Sequence, residues 1–202
     1  MGLPRLLIII GSSGVGKSTM SAKIAAAMEF SKVAATDTIR EVLRMQFGPM
    51  EEPALHRSSF EPAGGSPVED WEETVRVLSE GIQVVIRRAQ EKRRDLLIEG
   101  VHYVPEREAM ESWRDSGGSA CGVLLHVSSE ERHSEMIANR EKHNGKNVEH
   151  YLGNFIRIRA IQDEMIARAK SSGWLVLDPT EEEGAIELIS GEMIGSEATL
   201  DY

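Results

Sequence analysis

Nine consecutive residues near the start of the chain, GSSGVGKST at positions 11–19, have the composition of a phosphate-binding loop. They match the pattern G-x-x-x-x-G-K-[ST], in which glycines let backbone N–H groups surround a phosphate and the lysine reaches the β- and γ-phosphates. The serine hydroxyl that follows the lysine can bind Mg²⁺. The loop therefore predicts a site for ATP and Mg²⁺ that is built from Gly11, Ser12, Ser13, Gly14, Val15, Gly16, Lys17, Ser18 and Thr19.

The segments on either side of this loop agree with its chemistry. The apolar run at 6–10 predicts a strand buried on both faces, and residues 17–28 predict a helix whose N-terminus adds positive charge. A strand before the loop and a helix after it are what the motif requires, which argues against a glycine-rich turn without a chemical role. A dinucleotide fingerprint G-x-G-x-x-G would need a glycine in place of Thr19.

Two carboxylates are predicted to face the same crevice as Lys17. Asp37 follows a short strand at 33–36, and Glu99 ends the apolar strand at 95–100. In α/β sheets ligands bind outside the carboxyl ends of the strands, so both side chains should lie near the phosphates. Either can accept a proton from an acceptor hydroxyl or hold Mg²⁺, and the sequence leaves that division open. His102, three residues after Glu99, can point into the same crevice.

Cationic side chains that could bind an anionic acceptor occur in three segments. Arg40 shares a helical face with Asp37, and the stretch HRSSF at 56–60 combines His56 and Arg57 with two hydroxyls. The third segment contributes Arg157, but Arg159 is roughly 200° away on the same helix, so only one of the two should face the crevice.

A lid is predicted at about 129–147. Arg132 and Arg140 are about two helical turns apart, so both can point the same way and add positive charge where a transferred phosphoryl group needs it. The alternative is a solvated, salt-bridged helix face, because four glutamates interleave with these arginines at 130, 131, 135 and 141.

The remaining elements predict an α/β protein. Further strands are expected at 121–127 and 174–178, and further helices at 38–45, 67–94, 129–142 and 148–170. Thr38 with Glu41 and Ser66 with Glu69 have the spacing of capping boxes, and the irregular segment between these two helices has the length of a functional loop. We predict one domain over residues 1–202, a three-layer α/β/α P-loop NTPase fold with a mostly parallel five-stranded sheet, a helical lid and an acidic C-terminal tail at about 181–202.

The amino-acid composition limits the kinds of molecule that the protein is expected to bind. The net charge of −10 disfavours nucleic acid and anionic membranes as partners, and Cys121, the only cysteine, allows no intramolecular disulfide. The apolar run at 6–10 is too short for a signal peptide or a membrane span, so a cytoplasmic protein without membrane contact is expected, and the oligomeric state stays open. A GTPase is disfavoured because no Asn-Lys-x-Asp stretch follows a strand.

Five stretches taken in order, GSSGVGKST, TDTIREVLR, LHRSSFE, EGVH and NFIRIRAIQ, resemble the 2-phosphoglycerate kinases, from about residue 6 to 178. The resemblance implies transfer of the γ-phosphoryl group of ATP to 2-phosphoglycerate, giving 2,3-bisphosphoglycerate. It implies that Asp37 addresses the hydroxyl, and that Arg40, His56, Arg57 and either Arg157 or Arg159 address the anionic groups. A kinase of a nucleoside, nucleotide or other small metabolite remains the alternative, ahead of an RNA-directed kinase or a nucleotide-binding protein without turnover.

Overall fold

A computed structural model of the chain describes residues 3–143, 145 and 147–198. Its centre is a five-stranded sheet in the order β2-β3-β1-β4-β5, and every neighbouring pair is parallel. The strands are β1 Arg5–Ile10, β2 Val33–Ala35, β3 Leu96–Gly100, β4 Ser119–Leu125 and β5 Leu175–Leu177. The predicted α/β/α fold and strand number are confirmed.

Helices cover both faces of this sheet. They are α1 Lys17–Ala27, α2 Thr36–Gln46, α3 Pro67–Glu91, α4 Glu108–Asp115, α5 Glu130–His143, α6 Val148–Leu152, α7 Phe155–Ser171 and α8 Ala185–Ala198, with a short 3-10 turn at Pro53–His56. No helix among the described residues is both long and apolar enough to span a bilayer.

Alternating residues of the central strand β1 build two separate cores. Leu6, Ile8 and Ile10 pack with side chains of α3, α4 and α7, whereas Leu7 and Ile9 pack with side chains of α1 and α8. Since successive side chains of a strand point to opposite faces, a continuous apolar run belongs in a strand covered on both sides. This double burial holds the carboxyl end of β1, and hence the phosphate loop, in a fixed place.

The two predicted capping boxes have different outcomes. Ser66 accepts from the N–H of Glu69 and Glu69 accepts from that of Ser66, so the box that starts α3 is confirmed. The box at Thr38 is wrong, because α2 begins at Thr36 and its N-cap, Ala35, makes no side-chain hydrogen bond. The buried Thr36 hydroxyl lies against His102, a long-range contact that the local sequence does not reveal.

Two helical segments also differ from the sequence-based expectation. The single helix predicted at 148–170 is divided into α6 and α7, which are separated by Gly153 and Asn154. The helix α4 between β3 and β4 was not predicted; it buries Met110 and Trp113, and the indole of Trp113 donates to the carbonyl of Pro4.

Candidate active site

The phosphate loop has backbone geometry that glycine allows at low cost. Gly14 and Gly16 have φ values of 91° and 86°, a region that other residues rarely adopt. A Cβ on Gly11 would lie 2.3 Å from the carbonyl oxygen of Leu125, so the loop runs in close contact with the end of β4. Helix α1 begins directly after Gly16, which places its N-terminus at the loop.

Lys17 is held inside the loop. Its Nζ donates to the carbonyl oxygen of Ser12 at 2.7 Å. The pKa of Lys17 is lowered to about 8, mainly by burial and also by the charge of Arg140, whereas the carboxylates of Glu99 and Asp37 oppose the shift. A bound phosphate would therefore stabilise the charged form of Lys17.

Ser18 and Glu99 bring together the oxygen atoms that Mg²⁺ prefers. The Ser18 hydroxyl lies 3.3 and 3.4 Å from the two carboxylate oxygens of Glu99. Burial raises the pKa of Glu99, while Lys17 and the Ser18 hydroxyl lower it. Within the described ranges no group of three or more His, Cys, Asp or Glu could hold a metal by itself. A hydroxyl and one carboxylate fit a Mg²⁺ ion that also uses phosphate oxygens and water.

A cleft of about 430 Å³ opens beside this pair at the carboxyl ends of the strands. Six of the residues predicted for catalysis or acceptor binding line it: Lys17, Asp37, Arg40, Glu99, His102 and Arg140. Ser13 and Ser18 of the phosphate loop line it as well. Donor-side and acceptor-side candidates therefore share one cavity.

Asp37 and Arg40 lie on the first turn of α2 at the edge of this cleft. The Asp37 carboxylate is 3.9 Å from the nearer nitrogen of Arg40 and 3.7 Å from Nδ1 of His102, and it is 70% exposed. The Arg40 side chain is only 17% exposed, and no residue in the described part of the chain makes a hydrogen bond with its buried Nε. Asp37 is thus open to a ligand, and Arg40 retains a free donor beside it.

His102 is the buried member of the acceptor side. Only 1% of it is exposed, and burial lowers its pKa to about 4, which the neighbouring Asp37 opposes. A neutral imidazole follows from this burial at ordinary pH. Its Nδ1 lies against the hydroxyl of Thr36, and its Nε2 has no hydrogen-bond partner within residues 3–143, 145 and 147–198.

Four predicted cations lie outside the cleft lining. Arg57 donates to the carbonyl of Asp70 and pairs with Glu73, and Arg157 pairs with the buried carboxylate of Asp70. Nε2 of His56 lies 2.9 Å from the carbonyl oxygen of Phe47. Arg132 is exposed on α5 and pairs with Glu135.

Arg159, the alternative to Arg157, donates to the carbonyl oxygens of Val127 and Ser128. Neither Arg157 nor Arg159 is among the residues that line the cleft, because each is engaged by backbone or carboxylate oxygens elsewhere. Binding of the acceptor by His56, Arg57 and either Arg157 or Arg159 stays a prediction that the positions of these side chains do not support.

The cleft also contains residues that were not assigned to the site from the sequence. The guanidinium carbon of Arg140 lies 5.1 Å from the ring centre of Tyr151, and Glu141, 1% exposed, is paired with Arg140. The signal for Ser58 and Ser59 was present in the stretch HRSSF. The remaining additions to the lining are Glu41, Phe60, Gly100 and Val101.

A second pocket, of about 210 Å³, lies on the other side of the first turn of α1. Its lining combines the apolar side chains of Met20, Met136 and Pro179 with the polar side chains of Thr19, Lys23 and Thr180. Asp178 fixes this loop by accepting from the backbone of Ser128 and from both the N–H and the hydroxyl of Thr180. Burial opposes the ionisation of Asp178, but these bonds lower its pKa to about 2.

The parallel sheet, the phosphate loop and the carboxylates at the adjoining strand ends define a P-loop kinase. Solved structures of the same fold include a Chloroflexus aurantiacus protein described as a kinase, with a TM-score of 0.56, 15% identity and coverage of 97% of this chain and 99% of that one. Another is the shikimate kinase of Acinetobacter baumannii, with a TM-score of 0.50, 14% identity and coverage of 98% and 95%. No protein-family profile matches the chain.

The chain belongs to the 2-phosphoglycerate kinase family. It is 30% identical to the 2-phosphoglycerate kinase of Thermococcus kodakarensis, over 94% of this chain and 67% of that protein. It is also 30% identical to the enzyme of the same name from Pyrococcus horikoshii, over 96% and 65%. The chain thus spans about two thirds of the length of these curated relatives.

Proposed function

We propose that the protein transfers the γ-phosphoryl group of ATP to the free hydroxyl of 2-phosphoglycerate, giving 2,3-bisphosphoglycerate. One observation carries the proposal: Lys17 and Ser18 line the same cleft as Asp37 and Arg40. Phosphoryl transfer depends mainly on positioning two substrates in line and on charge stabilisation, which a single shared cavity provides. The names of the curated relatives support the choice of acceptor.

The donor side fits MgATP. The phosphate loop and Lys17 would hold the phosphates, Ser18 and Glu99 would hold Mg²⁺, and the pocket beside Met20 and Met136 would take the base. When bound, MgATP supplies the phosphoryl group and the charge of the metal ion. Lys17 contributes an ammonium group that burial destabilises, so a bound phosphate would stabilise its charged form.

On the acceptor side, we assign Asp37 to the hydroxyl and Arg40 to a neighbouring anionic group. The exposed Asp37 carboxylate can accept the hydroxyl proton as the phosphoryl group arrives. The Arg40 guanidinium donates a 3.3 Å hydrogen bond to the carbonyl of Arg57 and lies 3.5 Å from the exposed carboxylate of Glu41. Its buried Nε has no hydrogen-bond partner among the described residues. Arg140, which lies over Tyr151, would add positive charge near the transferred group.

The charge of the cleft supports a second candidate acceptor. The lining has three cations, Lys17, Arg40 and Arg140, against four carboxylates, Asp37, Glu41, Glu99 and Glu141. Such a balance suits a less anionic hydroxyl compound, such as a nucleoside or another small metabolite, unless Mg²⁺ offsets it.

A phosphoryl-transfer screen with purified protein, Mg²⁺ and ATP separates these possibilities. ADP release and ³¹P NMR of the product would be measured with 2-phosphoglycerate, 3-phosphoglycerate, nucleosides and small sugar acids. We expect turnover with 2-phosphoglycerate and at least about 100-fold lower kcat/KM with its 3-isomer, because the hydroxyl and phosphate exchange places. Turnover with only another acceptor would refute the choice of substrate, and turnover with none would refute the assignment as a kinase acting on small metabolites.

A further inference from the structure

One face of α5 lies directly on the phosphate loop. Its residues His133, Met136, Ile137 and Arg140 follow the spacing i, i+3, i+4 and i+7, which places them on one side of the helix. A Cβ on Gly14 would lie 2.3 Å from Cγ1 of Ile137 and 3.4 Å from Nε2 of His133. The first two turns of α5 are therefore packed against the loop.

His133 makes the polar contact of this face. It is fully buried, and its Nε2 lies 2.8 Å from the carbonyl oxygen of Ser13. Because a carbonyl oxygen only accepts, Nε2 must carry a proton. Burial lowers the pKa of His133 and favours the neutral ring, which leaves the lone pair on Nδ1, an atom without a hydrogen-bond partner among the described residues. The ring of Phe155 meets the imidazole edge-on, with 5.4 Å between the ring centres.

We propose that His133 is a positioning residue for the nucleotide, an inference that rests on the proposed binding of ATP by the phosphate loop. Its Nε2–H holds the Ser13 carbonyl against α5, so that this oxygen does not turn toward the phosphates. The N–H groups of the loop can then point at the phosphates instead. An inward carbonyl would place a negative partial charge beside the phosphates and remove a donor from them.

The preceding residue of the loop is held from another side. The Ser12 hydroxyl lies 3.5 Å from Oε1 of Gln162, whose side-chain amide makes two hydrogen bonds of 3.1 Å with the backbone of Val127. Two buried side chains from α5 and α7 thus brace consecutive loop residues, and His133 acts on the one that lines the cleft.

Two substitutions separate the hydrogen bond from packing. His133→Phe retains an aromatic ring against Phe155 but has no donor, whereas His133→Gln retains an N–H of similar reach. Asn139→Ala, at an exposed position of the same helix, is the matched control. Calorimetric titration with MgADP would give the dissociation constants, and steady-state kinetics would give separate KM values for ATP and for the acceptor.

We expect His133→Phe to weaken MgADP binding about tenfold or more, His133→Gln to stay within about threefold of wild type, and the control to be unchanged. The KM for ATP should rise while that of the acceptor does not. Wild-type affinity in His133→Phe, or equal losses in both histidine variants, would overturn the proposal.

The tautomer of His133 can be measured in the wild-type protein, so this test does not require that any variant folds. ¹⁵N NMR of the imidazoles should show His133 with its proton on Nε2, and that resonance should shift when MgADP is added. A proton on Nδ1 instead would overturn the proposal. Failure of the wild-type protein to bind MgADP would refute the proposed nucleotide site itself, and failure of 2-phosphoglycerate as a substrate would leave the role of His133 unaffected.

Discussion

The hydroxyl oxygen of Thr36 lies 3.2 Å from Nδ1 of His102, and both side chains are buried. Thr36 is the first residue of α2 and His102 follows β3, so this contact joins the two segments that carry Asp37 and Glu99. Gly100 leaves the space for it, because a Cβ there would lie only 1.8 Å from the Thr36 hydroxyl.

The substitution Gly100→Ala should therefore damage both stability and activity. Its φ of 154° and the overlap with Thr36 leave no room for a methyl group unless the backbone moves. We expect a loss of about 2–3 kcal/mol in the free energy of unfolding, measured by urea titration, with reduced turnover. Gly191→Ala in α8 is the control, since a Cβ added there would meet no atom of the described residues within 4 Å apart from the helix's own backbone, and alanine favours a helix.

The burial of His102 should make stability depend on acid pH. Its folded-state pKa of about 4 is below the unfolded value of 6.5, so the unfolded chain binds more protons between these limits. This contribution is complete above about pH 6.5 and decreases as the pH falls toward 4, by up to about 3 kcal/mol. Urea unfolding at pH 7 and 4.5 should show a smaller loss in His102→Asn than in wild type; an equal loss would contradict the assignment.

The pKa of Lys17 predicts proton uptake when a nucleotide binds. At pH 8.5 most molecules would carry a neutral Lys17, because its pKa is about 8, and phosphate binding should restore the charge. Calorimetry with MgADP in two buffers of different ionisation enthalpy should show uptake of more than about half a proton, and affinity should weaken as the pH rises above 8. No difference between the buffers would show that Lys17 is already charged. Lys17→Met should abolish turnover.

Arg40 and Arg157 should respond differently to replacement by alanine. Arg157 donates to the buried Asp70 carboxylate and, at 2.8 Å, to the carbonyl of Phe60, so its loss should cost about 3 kcal/mol of stability. Burial opposes the ionisation of Asp70, but bonds from Ala63 and Gly65 and from Arg157 hold its pKa below the ordinary value. Arg40→Ala should instead raise the acceptor KM about tenfold or more with little change in melting temperature. The reverse pattern would assign Arg157 to the acceptor.

Asp37→Asn isolates the carboxylate charge from the shape of the side chain. If Asp37 accepts the hydroxyl proton, kcat should fall by roughly 10²–10⁴ while MgADP affinity stays near that of wild type. The variant Glu99→Gln should be measured alongside it, because a loss of Mg²⁺ dependence in that variant would assign the metal to Glu99. An Asp37→Asn enzyme with full kcat would leave Glu99 as the base.

Several parts of the protein follow from local sequence. The loop at 11–19, the buried run in β1 and the start of α3 at Ser66 depend on residues a few positions apart, which is why their patterns predict the structure directly. The positions of Asp37 and Glu99 at the cleft also follow, because both come after or at the ends of parallel strands.

Tertiary structure decided which charged and polar side chains are available to a ligand. Local sequence marks Arg57 and Arg157 as candidate anion ligands just as it marks Arg40. In the folded protein both Arg57 and Arg157 instead bind Asp70, which is dozens of residues away from Arg157. The partner of His133, the carbonyl of Ser13, is 120 positions away along the chain, so local sequence does not reveal this contact. Hydrogen bonds and ion pairs form between groups that folding brings together, so the spacing of residues along the chain identifies the candidates, and only the packed structure selects among them.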